Sequence, residues 1–328
     1  MTRGIRADMT ITTPLVALGA ALRDSGYRFT TTTPATHERV NRRPGNEVAR
    51  DVRDVFGWSR PFAPGVLPDH LVALVDAAGL LVTDGDLSRS LVRYSSYDGE
   101  IFAHSAFPTT EADAVFFGPD TYRMADAAIA VAEARDRPVR RAVDIGCGTG
   151  AGAITIAKRL PGAEVLAVDI NPAALRFAQV NTELAGTPNV RPVKSDLLDD
   201  VPGMFDLIVT NPPFMIDPVG RTYRDGGPHG HELSLAIVDT AVRRLSPGGT
   251  LVLFAGTGIT DGTDPFHEAL HGHLDGTDLE WGYREMDPDA YGEELDGPAY
   301  AHAERIALVL LTADRRVSAA GSGALRPA

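Results

Sequence analysis

The sequence predicts an α/β protein: a seven-stranded, mostly parallel sheet with helices on both faces, behind an N-terminal region of helices and a β-hairpin. Three observations carry this. Short apolar runs and amphipathic stretches alternate after Arg140, and such alternation places parallel strands in one sheet with helices packed outside it. Val143-Asp144-Ile145-Gly146-Cys147-Gly148-Thr149-Gly150 reads as an apolar strand running into a glycine turn and then a helix. Further upstream, the runs 91–97 and 101–107 flank Asp98-Gly99, a dipeptide that suits a two-residue hairpin turn because both positions need positive φ.

In chain order, residues 15–22, 48–56 and 71–78 carry apolar side chains at helical spacing and precede the hairpin. Helices followed by a hairpin suggest a winged-helix-like accessory domain, expected over residues 1–112. A helix over 124–134 joins it to a second domain expected over 113–313. There the strands fall at 142–145, 165–169, 190–193, 205–209 and 250–255, with 281–285 and 306–311 as the last two. Helices are expected over 151–160, 172–185 and 231–245, the last stopped by Ser246-Pro247-Gly248-Gly249. Pro172 suits a first helical turn, where its missing N–H costs nothing. Residues 314–328 lack apolar periodicity and read as a disordered tail.

Composition sets outer bounds. The 328 residues, 44% hydrophobic and 23% charged, suit two globular domains. No apolar run approaches the roughly 18 residues that span a bilayer, and Met1-Thr2-Arg3-Gly4-Ile5-Arg6 lacks the apolar core of a secretion signal, so the expected compartment is the cytoplasm. The single cysteine, Cys147, leaves no internal disulfide and no thiolate-rich metal site; inside the glycine turn it reads as a small packing residue. A net charge of −13 opposes broad adhesion to a phosphate backbone. The first 60 residues nevertheless hold ten arginines against six carboxylates. Arg39-Val40-Asn41-Arg42-Arg43 could touch RNA or an acidic protein, although a solvated helix face explains it as well.

The glycine turn and the strand after it point to a nucleoside ligand. Glycines let the backbone approach a ligand where any Cβ would intrude. Nineteen residues beyond Gly150, the next strand ends in Asp169, placed to accept hydrogen bonds from ribose hydroxyls. Gly146-x-Gly148-x-x-Ala151 is formally compatible with a dinucleotide fingerprint. Asp144, two residues before the first glycine and able to face a cationic amino-acid group, and Gly150, which extends the turn, favour S-adenosylmethionine instead. Asp196, after the following strand, could accept from an adenine amino group or be a solvated loop carboxylate beside Asp199 and Asp200.

Asn211-Pro212-Pro213-Phe214, closing the run Phe205-Asp206-Leu207-Ile208-Val209-Thr210, can hold a flat nitrogen. An amide or exocyclic amine has its lone pair delocalised, so it attacks only if acceptors draw its N–H bonds out of conjugation. The Asn211 carboxamide oxygen and the Pro212 carbonyl supply two acceptors, and the Phe214 ring offers a stacking face. The bland alternative is an ordinary strand exit, since Asn and Pro favour turns. His267, His271 and His273 show one helical pair that Gly272 is expected to interrupt, so no metal is expected. His229 and His231 flank Gly230 near the same region, where proton transfer, loop capping or substrate lining are all open.

Asp-Ile-Gly-Cys-Gly-Thr-Gly, Val-Asp-Ile-Asn-Pro-Ala-Ala-Leu, Ser-Asp-Leu-Leu and Asp-Leu-Ile-Val-Thr-Asn-Pro-Pro-Phe occur in this order. Together they resemble the motifs of class I S-adenosylmethionine-dependent methyltransferases with a Rossmann-like fold, in particular the Asn-Pro-Pro-Phe/Tyr branch. That branch includes release-factor glutamine methyltransferases and small-domain ribosomal RNA guanine methyltransferases. The resemblance implies that the final strand is antiparallel. It implies that Asp144, Gly146, Gly148 and Gly150 surround the methionine part of the cofactor, Asp169 holds the ribose and Asp196 the adenine. Pro119, Asp120 and Tyr122 would lie over the cofactor mouth, Asn211 with Pro212 would orient the target nitrogen, and Phe214, Tyr223 and Arg224 would contact substrate. Phe stands where release-factor enzymes usually carry Tyr. The acceptor implied is a nitrogen in a macromolecule, a protein glutamine or an RNA base. A small metabolite is the alternative, and a non-catalytic cofactor-binding module a third. Oligomeric state is left open.

Overall fold

The computed structural model describes residues 3–317; the greater part of the expected tail, 318–328, lies outside the described residues. Helices α1 (Arg3–Asp24), α2 (Pro34–Asn41), α3 (Val52–Phe56) and α4 (Asp69–Ala77) lead the chain. The hydropathy pattern gives no sign of α2, which its cap creates: the Thr33 hydroxyl accepts from Thr36 N, and Pro34 opens the first turn. Within 48–56 only the last five residues are helical, because the Asp51 carboxylate caps the helix by accepting from Asp54 N at 2.8 Å.

Hairpins follow. Strands β1 (Leu81–Asp84) and β2 (Leu87–Ser90) turn at Gly85-Asp86, and β3 (Val92–Tyr97) and β4 (Glu100–Ser105) turn at Asp98-Gly99, where φ is 48° and 81°. The second hairpin is the one expected. The first was not expected: its strands are short and largely exposed, so no apolar alternation announces them.

After α5 (Pro119–Glu133), strand β5 (Arg141–Ile145) opens the main sheet. It is followed by α6 (Ala151–Arg159), β6 (Glu164–Asp169), α7 (Pro172–Ala185), β7 (Val190–Lys194), β8 (Phe205–Thr210), α8 (Glu232–Arg244), β9 (Leu245–Ile259), α9 (Pro265–Leu274), β10 (Leu279–Asp287) and β11 (Arg305–Arg315). The seven strands lie in the order β10-β11-β9-β8-β5-β6-β7. Pairs from β9 through β7 are parallel and β11 runs antiparallel to both neighbours, so the fold expected from the sequence is the fold observed. Val143, Leu166, Val168, Ile208 and Leu253 are fully buried. Helices cover both faces of the central strands, which is why they read as unbroken apolar runs.

Three of the differences from the expected boundaries have a visible cause. Ser246-Pro247-Gly248-Gly249 is part of β9, an excursion between the pairings Phe205↔Leu245 and Leu207↔Thr250, with Gly248 at φ 78°. Strand β11 passes the 313 boundary because the Arg315 guanidinium donates to the Leu245 carbonyl at 3.0 Å. Gly272 stays inside α9, which the buried Phe266, Leu270 and Leu274 hold against the core.

The N-terminal helices and hairpins share a core with the sheet domain. Leu18, Leu22, Phe56 and Tyr94 pack in one cluster with Val180 and Leu184 of α7. Gly19 permits this approach: a Cβ there would lie 2.6 Å from Leu184 Cδ1 and 3.0 Å from the Tyr94 ring. Gly19→Val is therefore expected to destabilise the protein by about 1–3 kcal/mol through overpacking, read as a lower denaturant midpoint at unchanged m-value.

Candidate active site

Chain order reverses at β5, whose neighbours are β6 on one side and β8 on the other. A crevice opens beyond the carboxyl ends of strands at such a point. A cavity of about 170 Å³ occupies it. Asp144, Gly146, Gly148, Asp169, Asp196, Asn211, Pro212 and Tyr223 all line it. The two segments read independently from the sequence, the glycine turn and the asparagine corner, are thus brought to one space.

The turn is held open from below. Gly146 and Gly148 have φ of 70° and 51°, and a Cβ on Gly146 would meet no atom within 4 Å, so a ligand could approach this backbone closely. Gly150 serves packing instead: its Cβ would lie 3.1 Å from Ala178 Cβ on α7. Asn181, fully buried on α7, donates to the carbonyls of Thr149 at 2.9 Å and Ala103 at 3.0 Å and accepts from Ala103 N at 2.7 Å. It thereby fixes the turn to β4. Gly152, which the sequence pattern does not single out, is needed because a Cβ there would sit 2.7 Å from Asp144 Oδ2.

The carboxylates differ in environment. Asp144 is 1% exposed, and its Oδ2 accepts from Ala153 N at 3.0 Å. Burial pushes its pKa up to about 7 against that bond, with the nearby Asp169 charge adding to the rise. Asp169 bridges the two loops, accepting from Gly148 N and Asn171 N, each at 2.9 Å; burial raises its pKa while these bonds oppose the shift. Asp196 is exposed at the rim. Ile170, 51% exposed, and Leu197 line the cavity near them, an apolar cleft suited to a flat ring that the motifs do not reveal. Among the described residues no lysine or arginine lines this cavity.

At the opposite wall, the Asn211 carboxamide oxygen is buried without a hydrogen-bond partner. Leaving a buried acceptor unpaired costs about 1–3 kcal/mol, a cost explained if an incoming N–H completes it. Thr210 fixes this corner to the glycine strand by donating to the Ile145 carbonyl at 2.8 Å. Phe214 is placed elsewhere: 8% exposed, it lies against Gly256, whose Cβ would be 2.6 Å from its ring, and meets Tyr291 edge-on at 5.9 Å. The aromatic rings at the mouth are Phe116 and Tyr223, stacked at 5.8 Å and 15°. Tyr223 donates to the Thr109 carbonyl at 2.9 Å.

Pro119, Asp120, Tyr122 and Arg224 do not line the cavity; Phe116, Thr121 and Met124 do so from the neighbouring positions. Pro119 opens α5, and the buried Asp120 accepts from the Tyr291 hydroxyl and faces Arg123. Tyr122 turns toward the N-terminal region, accepting from Thr31 N at 3.0 Å. Arg224 pairs with Glu294 at 2.6 Å. His229 pairs with Glu232, and His231 stacks on Phe266 at 5.9 Å, so neither histidine reaches the cavity wall. Cys147 is buried, and burial pushes its thiol pKa up, as suits a packing residue. Among the described residues no cluster of His, Cys, Asp or Glu is placed to hold a metal, and no helix is long and apolar enough to cross a membrane.

Fold and site together define a doubly wound α/β protein with a cleft at its topological switch point. Residues 126–260 match the family described as Methyltransferase small domain, in agreement with the resemblance drawn from the motifs. A release factor glutamine methyltransferase of Rhodopirellula baltica is 36% identical over 152 residues, 41% of this chain and 51% of that protein. A 4-amino-L-phenylalanine/4-methylamino-L-phenylalanine methyltransferase of Streptomyces pristinaespiralis is 34% identical over 155 residues, covering 42% and 52% respectively. Among solved structures, the T. thermophilus 16S rRNA N2 G1207 methyltransferase in complex with AdoMet and guanosine aligns with a TM-score of 0.47 at 19% identity, over 78% of this chain and 64% of that one. The chain spans about half the length of the curated relatives it matches.

Proposed function

We propose that this protein transfers a methyl group from S-adenosylmethionine to a planar amide or exocyclic amine nitrogen, with a macromolecule as the acceptor. The observation that carries the reading is that Asn211, whose carboxamide oxygen has no partner, lines the same cavity as Asp144, Asp169 and Asp196. An anionic cavity without lysine or arginine suits a cationic ligand and opposes a pyrophosphate. Asp144 also occupies the Ala153 amide in the first turn of α6, where a dinucleotide phosphate would bind. S-adenosylmethionine fits this set: Asp144 would hold its ammonium group, Asp169 its ribose, Asp196 with Ile170 and Leu197 its adenine. When bound it supplies an activated methyl group, so this chain needs no covalent intermediate and acts by alignment. Asn211 and the Pro212 carbonyl orient the acceptor nitrogen beneath the Phe116–Tyr223 pair, and the proton leaves after attack. Residues 1–112 form the accessory region and 113–313 the catalytic domain in this reading. The relative that methylates an aromatic amine favours a second reading, a small-molecule acceptor.

Purified protein incubated with methyl-labelled S-adenosylmethionine and separate protein, RNA and metabolite fractions tests the proposal. Label in one of them supports it, and label in none despite cofactor binding argues for a non-catalytic module.

Asp144 gives the reading a pH signature. A ligand cation stabilises its ionised form, so affinity for S-adenosylmethionine is expected to rise with pH up to about 7 and level off above it. Below that value affinity should fall by up to about tenfold per pH unit. Calorimetry in two buffers of different ionisation enthalpy would detect the proton released on binding near pH 6. The same group makes the free protein more stable when protonated. Its folded pKa of about 7 lies above the ordinary 3.8, so this contribution is full below 3.8 and is lost as pH rises through about 7.

A further inference from the structure

A second groove, of about 580 Å³, lies between the first hairpin and α7 and shares Ala114 with the catalytic cavity. Its apolar floor includes Leu80, Leu91, Phe107 and Phe177, and Leu91 is 41% exposed. Residues 109–115 separate the two spaces as a strap tied to both walls of the catalytic cavity. The Thr109 carbonyl accepts from the Tyr223 hydroxyl at 2.9 Å, the Ala112 carbonyl from Thr222 N at 3.2 Å, and the Asp113 carbonyl from Asn171 Nδ2 at 2.9 Å. Arg89, Arg176, Glu111 and Asp113 stand around the groove, and none of their side chains appears in an ion pair or hydrogen bond among the described residues, although other surface arginines of the protein do pair.

We propose that this groove docks the polypeptide segment next to the methylated residue, so that the acceptor is a protein. The inference rests on the methyl-transfer reading above and specifies its substrate. Two guanidinium groups balanced by two carboxylates give no net attraction to a phosphate backbone, which binds through an excess of positive charge. They match a peptide carrying both signs. The apolar floor takes a large side chain between them. Because the strap is common to both spaces, a chain lying in the groove passes within reach of the Tyr223 side of the catalytic mouth.

Leu91→Glu is the discriminating variant. Leu91 is largely exposed, and its pairings with Leu80 and Ala106 are made by backbone atoms, so the substitution keeps the fold, which circular dichroism and an unchanged affinity for S-adenosylhomocysteine verify. With methyl-labelled cofactor and a cell extract divided into protein, RNA and small-molecule fractions, wild-type protein is expected to label a protease-sensitive species. The labelled residue is located by mass spectrometry and a synthetic peptide spanning it is made. For this peptide Leu91→Glu and Arg176→Glu should each raise KM at least tenfold with kcat at saturation unchanged, whereas Leu91→Met should behave as wild type. Replacing the apolar neighbour in the peptide by Ala should raise KM for wild-type protein and have little further effect on Leu91→Glu. Label in the RNA or small-molecule fraction, or equal KM values for wild type and Leu91→Glu, overturns the groove assignment and leaves methyl transfer standing. Failure of the wild-type protein to bind S-adenosylhomocysteine overturns both.

Discussion

Asn211→Ala is expected to reduce methyl transfer by about 10²–10³-fold in kcat while leaving affinity for S-adenosylhomocysteine within twofold of wild type, the magnitude being that for removal of one preorganised polar group at a reacting centre. The carboxamide oxygen has no partner in the free protein. Removing it takes away no internal hydrogen bond through that atom, so the folded state should lose little stability. The loss falls on the step in which the acceptor nitrogen changes geometry, because only then does its N–H need an acceptor outside conjugation. Single-turnover labelling separates this from a binding defect. A variant that turns over normally, or one that loses cofactor affinity instead, removes Asn211 from the role assigned here.

Asp169→Ala is expected to show the opposite pattern. The carboxylate accepts from Gly148 N and Asn171 N, so it holds the glycine turn and the start of α7 in register as well as offering its remaining lone pairs to a ribose. Hydrogen bonds to a charged group contribute roughly 1.5–3 kcal/mol each. Affinity for S-adenosylhomocysteine should therefore fall about 10²-fold or more, and the thermal midpoint should drop because two backbone amides lose their acceptor. Turnover at saturating cofactor should be much less affected than in Asn211→Ala. Calorimetry and initial rates on the two variants together yield a crossed pattern, which a purely structural role for either residue would not produce.

The glycine turn, Asp169 and the asparagine corner were legible in the sequence for a shared physical reason. Each sits at the carboxyl end of a strand whose apolar run identifies it, and a parallel sheet brings those ends together whatever the loops do. Phe214 was not legible in the same way. Its direction is set by Gly256, forty-two residues further on, where the lack of a side chain leaves space for the ring. Tyr122 and Asp120 lie off the cavity for a related reason: their partners are Thr31 and Tyr291, remote in sequence and invisible to a local pattern. Phe116 lies three residues before Pro119, and Ile170 immediately after Asp169. Exposure, which a single sequence does not display, is what marks Ile170. Helix α2 escaped notice because its cap and not an apolar stripe defines it.

The central claim is that one cavity brings the methyl donor to the Asn211 carboxamide. A crystal structure of the protein with S-adenosylhomocysteine tests it most directly. The account predicts the amino-acid end beside Asp144, the ribose on Asp169, and the sulfur facing the Asn211 and Pro212 oxygens with no side chain between them. A ligand bound elsewhere, or a sulfur screened from Asn211 by the strap or by Phe116, would contradict it.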